Sequence, residues 1–69
     1  MLEELQAVAE RHVREGRLRV ERQRELVAEK KAAGKDSRLS ESLLSTFEAT
    51  LAVFEDHLAL IRREASGLS

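Results

Sequence analysis

The chain has 69 residues, with 12 lysines and arginines against 13 aspartates and glutamates, and a formal net charge of −1. Of its 29 hydrophobic residues nine are alanine, which leaves 20 large apolar side chains, and cysteine, tryptophan, tyrosine and proline are absent. One domain over 1–69 is the ceiling; no disulfide or cysteine-bound metal can brace it, nothing points to an oxidising compartment, and apolar runs of only a few residues argue against a membrane span or a secretory leader.

The composition predicts an all-α chain, since Ala, Leu, Glu, Arg, Lys and Gln dominate and no proline interrupts them. Helix 1 is expected over about 2–33. Its apolar arc carries Leu2, Leu5, Val8, Ala9, Val13, Val20, Leu26 and Val27, with His12, Gly16 and Gln23 on the same arc. The one dense break is Ala33-Gly34-Lys35-Asp36-Ser37, read as a turn at 34–36. Gly34 suits the left-handed position past a helix end, and Lys30 and Lys31 suit the last turn before it. Asp36 or Ser37 can cap a second helix, and Ser40, with a Leu39–Leu44 staple, competes for that role.

Helix 2 is expected over about 37–65, with a frayed tail at 66–69. Leu44, Phe47, Leu51, Phe54, Leu58, Ile61 and Ala65 alternate steps of three and four, an a/d heptad seam, and Leu43, Val53 and Leu60 widen one flank. A connection of three or four residues makes the two helices antiparallel neighbours.

The charges predict the register. Arg17, Arg24 and Lys31 recur every seven residues beside the helix 1 stripe, and Glu41, Glu48 and Glu55 do so beside the helix 2 stripe. Folding the chain at residue 36 sets residue i opposite residue 72 − i. Arg17 then meets Glu55, Arg24 meets Glu48 and Lys31 meets Glu41, while Glu10 meets Arg62 with both signs exchanged. Exposed ion pairs stabilise little; their use is to select register and orientation.

The opposite flank carries Val8, Leu26, Leu39, Val53 and Leu60 and no charged ladder. A core this small rarely supplies more than about 3–5 kcal/mol, and the usual remedies are disulfides, metals or oligomerisation. The expectation is a homodimer or higher oligomer, two hairpins forming a four-helix bundle with the apolar flanks inside. Leu44, Phe47, Leu51, Phe54, Leu58 and Ile61 are expected to carry assembly together with the five flank residues. Gly16, mid-helix on the stripe, either leaves room for the Phe54 ring or is a tolerated glycine. Gln23 either finds a buried partner, in Thr50 or in Gln23 of a second chain, or reaches water at the edge of the stripe.

Chemistry-bearing patterns are sparse. His12 and His57, the only histidines, fall on the uncharged flank, and a dimer could gather them into a Zn²⁺ or pH-sensitive cluster. No H-x-x-x-H, H-E-x-x-H or E-x-x-H spacing supports a metal, and structural interface histidines are the plainer reading. Serines and threonines between Ser37 and Thr50 sit on a helix without a neighbouring base, and no phosphate-loop or nucleophile-elbow motif is present. Glu3-Glu4 and Glu55-Asp56 diverge by about 100° on a helix. No catalytic residue and no cofactor are therefore expected.

Arg11, Arg14, Arg17, Arg19, Arg22 and Arg24 invite a nucleic-acid reading, but Glu10, Glu15, Glu21 and Glu25 interleave with them. Residues 1–34 hold eight basic against seven acidic side chains, so no basic stripe results. Neither phenylalanine is free to stack on bases. An RNA- or DNA-binding dimer is the alternative function class, and a histidine metal-binding bundle the third. Leu18, on the outer face among arginines, is either an ordinary exposed leucine or an anchor for an unidentified protein.

His12, Gly16, Arg17, Val20, Gln23, the stretch Gly34-Lys35-Asp36-Ser37, Leu43-Leu44, Phe47-Glu48 and Leu51 together resemble short bacterial helical-hairpin proteins of uncharacterised function. The resemblance spans about residues 8–62 and implies a bacterial, cytoplasmic protein. It carries no established activity and no functional residue to transfer. The residues themselves point to a small interaction or regulatory protein that works through helix–helix packing.

Overall fold

The computed structural model describes residues 1–68. It holds two long helices, α1 (Leu2–Ala32) and α2 (Arg38–Leu68), packed antiparallel as a hairpin. Among the described residues no helix is long and apolar enough to cross a membrane.

α1 starts without a side-chain cap at Met1, and Glu3 and Glu4 in its first turn complement the helix dipole. Its end is a complete Schellman motif. The Lys35 amide donates to the Lys30 carbonyl at 2.8 Å and the Gly34 amide to the Lys31 carbonyl at 3.1 Å. Gly34 takes φ +68°, the left-handed conformation that glycine adopts without penalty.

α2 begins at Arg38, whose amide donates to the Asp36 carboxylate at 3.0 Å. The Arg38 guanidinium also grips that carboxylate, at 2.7–3.2 Å, and holds the Asp36 carboxyl below its ordinary range. Asp36 thus supplies the side-chain capping bond, while Ser37 holds the position just before the helix, its carbonyl accepting from the Glu41 amide at 2.8 Å. Ser40 lies inside the first turn and is buried, and Leu39 is exposed, so the expected Leu39–Leu44 staple does not form around Ser40. The far end also differs from expectation. The pattern predicts an end near residue 65, yet Ser66, Gly67 and Leu68 continue the helix. A lone glycine lowers helix propensity by about 1 kcal/mol but ends a helix only when its φ turns positive, and among the described glycines only Gly34 does so. Ser69, part of the expected frayed tail, lies outside the described residues.

Both helices carry a heptad seam. In α1 the buried positions are Ala9, Val13, Gly16, Val20, Gln23 and Val27, alternating steps of four and three. In α2 Leu58 is buried and Leu44, Phe47, Leu51, Phe54 and Ile61 are half-buried. Small residues on α1 therefore face large ones on α2, which lets the two surfaces interdigitate. With Val13 and Leu51 as a positions and Gly16 and Phe54 as d positions, every other residue takes a heptad letter.

The result is a rod. Its principal extents are 54 × 14 × 13 Å and its radius of gyration is 15.9 Å, against about 11 Å for a compact domain of this length. Among the described residues no side chain is completely buried. A folded chain of 7.8 kDa ordinarily exposes about 4,400 Å², whereas this one exposes 5409 Å².

Candidate interaction face

The two sides of the hairpin differ in chemistry. On the e side all four expected ion pairs form: Arg17–Glu55 at 3.3 Å, Arg24–Glu48 at 3.2 Å, Lys31–Glu41 at 2.9 Å and Glu10–Arg62 at 3.5 Å. The Lys31 ammonium holds the Glu41 carboxyl below its ordinary range. Glu10 is lowered first by the Gln6 amide, which donates to it at 3.1 Å, and then by Arg62. These side chains remain largely exposed, so they orient the helices more than they stabilise them.

The g and c positions make the other side. Among the described residues nine large hydrophobic side chains are exposed, and seven of them sit there: Leu5, Val8 and Leu26 on α1, with Leu39, Leu43, Val53 and Leu60 on α2. Val53 at 62 % and Leu39 at 74 % exposure have almost no cover in the single chain. All five residues expected at the dimer flank lie on this side. The six seam residues named with them, Leu44, Phe47, Leu51, Phe54, Leu58 and Ile61, are taken up instead between the two helices of one chain. Leu43, which widens the same flank, and Leu5 belong to the exposed side as well. Leu5 shares the g position of α1 with His12 and Leu26, and Leu43 shares that of α2 with His57.

Gln23 is buried, and its amide donates to the Ser40 carbonyl at 2.9 Å. The expected Thr50 partner is displaced, because Ser40 shares the seam while Thr50 is an exposed g position. Gly16 sits where a Cβ would lie 3.1 Å from Leu51 Cδ1 and 3.8 Å from the Phe54 ring. The close neighbour is therefore Leu51, one helical turn from the ring named from the sequence.

His12 is half-buried with its ring centroid 5.0 Å from that of Phe54, tilted by 34°. His57 is exposed in a shallow depression shared with Val53, Asp56 and Leu60. Among the described residues no group of three or more His, Cys, Asp or Glu side chains could hold a metal ion. On the outer face Leu18 is 65 % exposed. To one side of it Arg19 and Arg22 share an open depression with Glu15, Glu21 and Glu25, and to the other Arg11, Arg14 and Arg17 line a second with Glu15 alone. The Thr46 hydroxyl donates to the Ser42 carbonyl at 3.2 Å and the Ser37 hydroxyl to Glu41 at 3.3 Å. Comparison with protein-family models, curated proteins and solved structures found no match.

Proposed function

We propose that this chain is a small non-enzymatic interaction or regulatory module that acts as a homodimer. Two hairpins meet through their g/c sides and complete a four-helix bundle. The observation that carries this reading is the coincidence of excess surface with one apolar side. The chain exposes 5409 Å², about 1,000 Å² more than a compact protein of its mass, and a standard interface takes about 800 Å² from each partner.

A second copy suits the vacancy better than a foreign partner. A hairpin this thin needs cover whenever it is folded, and its own copy is always present. The side also holds Glu15 and Glu29 with Arg19 and Arg22 at c and g positions, so neither sign prevails and two copies attract as readily as they repel. We place the protein in the cytoplasm, where packing rather than disulfides holds small domains together. Light scattering tests the reading directly. A mass twice 7.8 kDa is expected, and Leu60→Lys should reduce it to the monomer. A monomeric wild-type chain that still unfolds cooperatively would overturn the proposal.

A further inference from the structure

Resting on that dimer, we infer that its central contact is α2 against α2 of the second copy, antiparallel about a two-fold axis at Thr50, with the two turns at opposite ends of the bundle. The g/c side is not uniform. Its α1 half is interrupted by Glu15, Arg19, Arg22 and Glu29, whereas its α2 half between Leu39 and Leu60 contains no Asp, Glu, Lys or Arg. The least polar strip belongs at the centre of an interface and the charged one at its rim.

That strip is also self-complementary. An isologous contact needs each residue to suit the one it meets when the helix is reversed. Reversal about Thr50 sets Leu43 over the partner's His57 and Thr50 over itself, and, to within one residue, Leu39 over the partner's Leu60 and Thr46 over the partner's Val53. The large aliphatic side chains fall at both ends and the small β-branched ones in the middle, where two helices approach most closely. All seven positions are exposed in the single chain and so are free to meet a partner. Beyond the strip the same reversal sets Asp36 over the partner's Glu64; the Arg38 guanidinium already grips the Asp36 carboxylate and offsets its charge. A face-to-face pair that keeps the turns at the same end instead sets α2 over α1, and buries Arg19 and Arg22 against Val53 and Thr50.

The absence of native cysteine makes the test clean. Thr50→Cys should form a disulfide-linked dimer under mild oxidation at least roughly tenfold faster than Leu18→Cys, because the interface raises the effective concentration of one pair only. Leu39→Cys alone should link slowly, since 21 residues along a helix separate the two copies of that position by about 31 Å. Mixed with Leu60→Cys it should link fast. If light scattering shows a dimer while Thr50→Cys links no faster than Leu18→Cys, this arrangement is wrong and the dimer stands. If light scattering shows a monomer, the reading beneath it is wrong as well.

Discussion

Gly16 gives the sharpest test of the packing between the two helices. Glycine inside a helix costs about 0.8–1 kcal/mol relative to alanine, so its presence at a buried d position calls for a steric reason. A Cβ there lies 3.1 Å from Leu51 Cδ1, 3.7 Å from Leu51 Cβ and 3.8 Å from Phe54 Cδ2. Only the first contact is tight, and it involves the end of a half-buried, flexible side chain that can yield by a few tenths of an ångström. Gly16→Ala should therefore keep most of its propensity gain, a change between about 0 and +1 kcal/mol. Gly16→Leu gains nearly as much in propensity but drives three more carbons toward Leu51 and Phe54, and overpacking of this kind costs about 1–3 kcal/mol. The difference between the two variants, about 1–3 kcal/mol, corresponds to at least about 4 °C in Tm at 4–8 °C per kcal/mol for a domain of this size. Thermal unfolding followed by circular dichroism at one fixed protein concentration measures it. If the leucine variant melts at or above the alanine variant, close approach at Gly16 is refuted and the glycine is merely a weak helix former.

Three further outcomes follow from the structure. Gln23→Ala removes the amide that donates to the Ser40 carbonyl at 2.9 Å and leaves a cavity; it should lower stability by about 1–2 kcal/mol in chemical denaturation, whereas Gln23→Met, which fills the same volume, should cost less than the alanine variant. Gly34→Ala meets no steric neighbour but forces a Cβ into φ +68°, so it should cost about 1–2 kcal/mol through backbone strain alone, and a variant as stable as wild type would remove the Schellman turn from the account. The Glu41 carboxyl is held below its ordinary range by Lys31. A carboxyl lowered in the folded state stabilises the fold above its unfolded value, and that contribution is lost as pH falls through the folded value. Tm should thus fall on acidification through and below the carboxylate range, and Glu41→Gln should flatten the decline; an unchanged profile would count against the pair.

Much of the fold was legible in the sequence, for a reason that particular residues make plain. The antiparallel register followed from four charge pairs on seven-residue steps, because long side chains at e positions reach across whatever the seam does in detail. The turn followed from Gly34, because few residues tolerate a left-handed φ. The α1 seam was less legible. Gly16 and Gln23 lie on it beside four apolar residues, while Leu5, Val8 and Leu26 lie off it, so hydrophobicity alone drew the arc too wide.

By itself, the sequence determined the two helices, their turn, their orientation and their ion pairs, since each depends on local propensity or on a repeat along one helix. The tertiary structure decided which apolar residues are consumed within the chain and which are left over. Leu5 and Ala9 lie one turn apart on the same apolar arc of the sequence, yet Ala9 enters the seam and Leu5 is left exposed. The partner of Gln23 and the neighbour of Gly16 were decided in the same way, by which atoms of the facing helix arrive at that level. Those choices rest on contacts between residues far apart in the chain, which no pattern along a single helix contains.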